Sequence, residues 1–71
     1  MEKGQIVKYL AFTDSFGKYH TEIPKMLITK VYEVKNQHID NYIRVCADNI
    51  NIDRINNIVS VDAHERHFEL I

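Results

Sequence analysis

The chain is short of almost everything that would staple, span or cleave. One cysteine, Cys46, excludes an intrachain disulfide, so the core must hold without covalent help. There is no tryptophan, one proline and two glycines. With only Gly4 and Gly17, no glycine-rich loop can cradle a phosphate, and no Gly-x-Ser-x-Gly elbow exists for Ser15 or Ser60. No apolar run approaches the 18 residues a membrane helix needs; the longest is Tyr9 to Phe12. Neither sign of charge dominates: nine Lys+Arg face ten Asp+Glu, a formal net charge of −1. A general nucleic-acid binder normally carries a clear basic excess. The expectation is a cytoplasmic protein with no membrane contact, no signal core at Met1–Gln5 and no acid/base or nucleophilic motif: not an enzyme, with no cofactor.

What remains is ordinary globular material, 45% hydrophobic and 27% charged over 71 residues. A chain of this size buries only about 60% of its extended-state surface, which allows one small domain, here residues 1–71. Gln5 to Thr13 is rich in β-branched and aromatic residues and reads as a strand. Asp14-Ser15-Phe16-Gly17 supplies a turn, and Lys18 to Ile23 returns as a partner strand that Pro24 should end. Lys25-Met26-Leu27-Ile28 then reads as a bridging piece, and Thr29 to Val34 as a strand with Val31 on one face and Tyr32 and Val34 on the other. After a polar turn at Lys35–His38, Tyr42 to Ala47 alternates: Ile43, Val45 and Ala47 inward, Tyr42, Arg44 and Cys46 outward. Asp48-Asn49 is expected to turn, Ile50–Ile52 to form a strand, Asp53–Asn56 one helical turn and Asn57–Val61 a strand. His67 to Ile71 alternates again as an edge strand. Five or six short antiparallel strands without an amphipathic helix indicate an all-β fold, a small barrel.

The order of these features resembles the WYL domain, a small SH3-like (Sm-like) barrel of bacterial regulators. Val7-Lys8-Tyr9 matches its opening strand, and Gly17 through Pro24 its glycine turn and proline-closed return. Asn41-Tyr42-Ile43-Arg44-Val45 looks like the signature Trp-Tyr-Leu strand. Ile50-Asn51-Ile52-Asp53-Arg54-Ile55 resembles the Asp-Arg-Ile turn, followed by Ile58 and Val61. The similarity covers about residues 5 to 70. It departs at Asn41, where the family has Trp, and at His20, where it usually has Arg. The resemblance implies a non-enzymatic regulatory module of bacterial or phage origin that binds a nucleotide or short single-stranded nucleic acid. It puts Arg54, Arg44, Tyr42 and His20 on the ligand-facing side, where a guanidinium grips phosphate and a ring stacks a base. The bland counterpart is Arg54 paired with Asp53 or Asp62, and Tyr42 merely covering the barrel. The alternative function is a protein-interaction or homo-oligomerisation module acting through an exposed strand edge near Phe68-Glu69-Leu70-Ile71.

Two further clusters need weighing. His64-Glu65-Arg66-His67 hints at metal, but the stretch reads as strand, where odd spacing sends the two histidines to opposite faces. No second ligand pair completes a zinc site, so none is expected. Cys46 on a strand reads as a half-buried small residue, not a nucleophile. Charge is uneven along the chain, with Lys8, Lys18, Lys25, Lys30 and Lys35 early and acids in excess after Asn36. Such asymmetry can steer a nucleic acid or an acidic partner to one face, though such charges are more often merely a solvated surface.

Overall fold

The computed structural model describes residues 1–38, 40–50 and 60–71. Its elements are β1 (Ile6–Tyr9), β2 (Phe12–Thr13), β3 (Tyr19–His20), β4 (Ile23–Val34), β5 (Tyr42–Asn49), β6 (Ser60–His64), a 3-10 turn η1 (Glu65–His67) and β7 (Phe68–Leu70). Five strands form one antiparallel sheet in the order β6-β5-β4-β1-β7, and β2 pairs with β3 as a separate hairpin. The fold is small and all-β.

In a flat sheet four strand-to-strand steps of about 4.8 Å would set β6 and β7 roughly 19 Å apart. Yet η1 joins them with three residues, which rise only about 6 Å as a 3-10 turn. The sheet must therefore curl until its two edge strands nearly meet, as in an SH3-like barrel. Among the described residues no ladder pairs β6 with β7, so the barrel is curled but not closed.

Pro24 does not end a strand, contrary to its reading in the sequence. β4 runs straight through it for 12 residues. The register moves from Val7↔Met26 to Tyr9↔Ile23, so Pro24 and Lys25 together oppose Lys8. In that bulge no ladder N–H is demanded of the proline. Met26-Leu27-Ile28 is accordingly no bridge but the middle of the longest strand, with Met26 and Ile28 essentially without solvent contact. Asp48 and Asn49 likewise stay in β5, opposite Leu27 and Met26.

A second irregularity sits between Ile28↔Ala47 and Lys30↔Cys46. The extra residue, Thr29, donates its hydroxyl to the Cys46 carbonyl at 3.2 Å. Its insertion flips the parity of β4, so Val31 continues the inward face while Lys30 and Tyr32 turn outward. Val31 packs on a core of Val7, Tyr9, Ile23, Met26, Ile28, Val45, Ala47, Ala63 and Phe68. The strand expected over Gln5–Thr13 divides into β1 and β2 at Leu10-Ala11; the Leu10 N–H, donating to the His67 carbonyl at 2.8 Å, continues the β1–β7 register one step past Tyr9↔Phe68. Past that division β2 pairs with β3 as a hairpin separate from the five-stranded sheet. The expected helical turn at Asp53–Asn56, and Arg54 with it, lies outside the described residues, as does most of the strand expected at Asn57–Val61.

Candidate functional site

An open groove of about 920 Å³ lies between the β2–β3 hairpin, the start of β5, the end of β6 and η1. Asp14 builds the hairpin wall. Its Oδ1 accepts the Phe16 and Lys18 backbone N–H groups, each at 2.9 Å, and its carbonyl accepts the Gly17 N–H at 3.0 Å. Gly17 sits at φ +82°, which a side chain would resist. The other carboxylate oxygen, Oδ2, meets His20 Nε2 at 3.0 Å. That imidazole, then the Lys18 backbone N–H, holds the Asp14 carboxyl below its ordinary range. The result is a stiff turn with Phe16 at its tip, 95% exposed beside the groove.

Aromatic rings line the groove in a continuous run. The Phe12 ring lies between two imidazoles, nearly parallel to His20 (4.5 Å, 7°) and to His67 (3.8 Å, 14°). His67 meets His64 edge-on at 6.4 Å, and His64 stacks on Tyr42 at 5.2 Å. Beneath them Tyr9 anchors the run to the core through Phe12 and Phe68. Burial raises the Tyr9 hydroxyl above its usual pKa.

Across β4, β5 and β6, Tyr32, Arg44 and His64 face one another in register. The carboxylate between them is Asp62. Its Oδ1 accepts from Arg44 Nε at 2.9 Å, its Oδ2 from the Tyr32 hydroxyl at 2.6 Å, and its carbonyl from Arg44 Nη2 at 2.9 Å. The Tyr32 hydroxyl first, then the guanidinium, keep Asp62 ionised to lower pH than a free carboxyl. In return Asp62 pushes the Tyr32 phenol up and drives Arg44 further above its already high range. Lys30 covers the Tyr32 ring at 5.0 Å. The depressed Asp62 contributes stability above the unfolded carboxylate range, and that contribution is lost as pH falls through its folded pKa. Because its side chain is 46% exposed, Asp62→Asn should cost at most about 1 kcal/mol at pH 7 and flatten the acid limb of stability. Thermal unfolding between about pH 7 and pH 3 reads this.

Of the residues expected to face a ligand, His20 from β3 and Tyr42 and Arg44 from β5 come together in this one groove. Arg54 is outside the described residues. Asp62, expected as an Arg54 partner, engages Arg44. The histidines of His64-Glu65-Arg66-His67 do not diverge as strand residues would. The stretch is η1, and three-residue spacing on a 3-10 turn brings side chains to one side. Phe12, Phe16, His64, Arg66 and His67 also line the groove, and in the sequence only the histidine spacing hints at part of this set. Among the described residues no group of three or more His, Cys, Asp or Glu is placed to hold a metal ion. Cys46 is half-buried on β5, its thiol pushed up by burial and by Asp62.

No family model, curated protein or solved structure matches the chain. Two of the groove's acids, Asp14 and Asp62, are already engaged, by a hydrogen bond with His20 and by Arg44. Arg66 stands exposed on the η1 side, with its backbone rather than its side chain engaged by His64. Stacking surfaces beside a guanidinium suit a planar ring carrying negative charge.

Proposed function

We propose that the chain is a non-enzymatic, cytoplasmic regulatory module that binds a nucleotide or a short single strand of nucleic acid in this groove. The reading joins the WYL resemblance to one observation: the run of rings from His20 to Tyr42, with Phe16 exposed on one side and Arg66 on the other. A base stacks against Phe16 or the uncovered side of Tyr42, and phosphate lies toward Arg66, with Arg54 as the further guanidinium that the resemblance assigns. Arg44 acts less as a phosphate grip than as the brace that fixes Asp62 and the outer sheet face.

Titration of nucleotides and of a fluorescent single-stranded oligonucleotide at low salt tests the reading. Binding should weaken as salt rises. Phe16→Ala should cost about 1–3 kcal/mol of affinity, the usual worth of one stacked base. Absence of binding to every probe, or affinity unchanged in both Phe16→Ala and Arg54→Ala, overturns it.

A second reading, self-association through a strand edge, is favoured by the apolar surface beside β7. Ile6, Leu70 and Ile71 are 37%, 53% and 72% exposed, and β7 is an edge of the sheet. Sedimentation over a range of concentrations separates the two, since a strict monomer removes this one.

A further inference from the structure

The wall of the groove opposite the hairpin is η1, and two histidines hold it, His64 through a contact that only a neutral imidazole can make. His64 is the residue before the turn, and its Nδ1 accepts the Arg66 backbone N–H at 3.0 Å. The donor here is an amide, so Nδ1 must carry the lone pair and the ring must be unprotonated on that side. A protonated His64 would point an N–H at an N–H. His67 is laid flat on Phe12, and its carbonyl accepts the Leu10 N–H, the rung that follows Tyr9↔Phe68 at the end of the β1–β7 ladder.

We propose that η1 is a proton-operated latch on the groove: neutral His64 and His67 fix Arg66 and the stacked wall, and protonation releases them. The charged surroundings of the His67 ring oppose its protonation. His64 faces Tyr42 and Arg44 on β5, and Arg66 and His67 on the turn itself. His67 is flanked by Arg66 and His64, with Arg44 and, beyond Phe12, His20 also near enough to be felt. The nearby carboxylates do not offset this. Asp62 is committed to Arg44 and Tyr32, and Asp14 to the hairpin and His20. Glu65 starts the turn, and Asp40 lines the groove at the foot of β5. Burial first, then Arg66, hold His67 below the ordinary imidazole range. With the folded form binding fewer protons than the unfolded, the latch is fully present above about pH 6.5 and weakens as pH falls below it.

The latch does not depend on what the groove binds, whereas its role in regulation rests on the proposed function. Backbone amide exchange by NMR at about pH 7.5 and pH 5.5 tests it in the intact chain. Protection factors at Arg66 and Leu10 should fall by roughly tenfold on acidification while those of Met26 and Val45 hold. His64→Asn leaves an amide oxygen to accept the Arg66 N–H, and His67→Phe leaves a ring on Phe12; neither titrates. The double variant should keep its Arg66 and Leu10 protection at both pH values. Unchanged protection in the wild type, or loss that persists in the double variant, overturns the latch. Oligonucleotide affinity measured alongside should drop at the lower pH in the wild type and hold in the double variant. If protection falls but affinity stays constant or rises, the latch does not regulate the site. If nothing binds at either pH, the proposed function fails and the amides alone decide the latch.

Discussion

Met26→Ala is expected to remove about 3 kcal/mol of stability, the usual cost of emptying a fully buried site of this volume. A domain of this size has only about 5 kcal/mol in total, so most of its margin would go. Leu27→Ala, one residue on and half-buried on the opposite face, should cost much less, about 1 kcal/mol. Urea unfolding followed by circular dichroism reads both. The contrast carries the test. If 26–28 were a mobile connection, the two losses would be similar and small. A large difference follows only if β4 passes through Pro24 as a continuous strand with Met26 against Val7 and Leu27 outside.

Asp14→Ala should disorder the hairpin while leaving the five-stranded sheet intact. Three donors lose their acceptor at once: the Phe16 and Lys18 amides and the His20 ring. Without them Phe16 is no longer held beside the groove, and His20 loses the partner that keeps it on Phe12. The shifted ring resonances of Phe12 and His20 should move toward unstructured values, and oligonucleotide affinity should fall by roughly tenfold. In the native chain the depressed Asp14 sets the pH sign. Hairpin order is present above the unfolded carboxylate range and is lost only as pH falls through the folded Asp14 pKa. Asp14→Asn keeps an acceptor for the turn and should retain much of the order, which separates turn geometry from the hydrogen bond of the carboxylate with His20.

Where local alternation decides structure, the sequence is a good guide. Tyr42 to Ala47 shows which side chains enter the core, and Val45 and Ala47 are indeed sealed while Arg44 stays out. The Asp14–Gly17 turn is equally local, since its hydrogen bonds span four residues or fewer. Pro24 misleads because its tolerance depends on a register shift against β1, a property of the partner strand. η1 misleads for a similar reason. His64 to His67 has no helical pattern of its own, and the turn exists because β6 and β7 must be joined across a curled sheet. The groove was half legible. Tyr42, Arg44 and His20 could be placed by resemblance, but the stacking of Phe12 between residues 20 and 67 is a long-range contact that no periodicity encodes. The Arg44–Asp62 pair likewise becomes visible only when β5 and β6 are set side by side.

The central claim is that the groove between the hairpin and η1 is where this chain takes its ligand. Amide chemical-shift mapping during titration with a short single-stranded oligonucleotide, repeated with mononucleotides, tests it most directly. The account predicts that the largest shifts cluster at Phe12, Asp14 to Phe16, Tyr42, Arg44 and His64 to His67, and that they saturate together. Shifts confined to the β7 edge around Ile6 and Leu70, or no shifts with any of these probes, would contradict it.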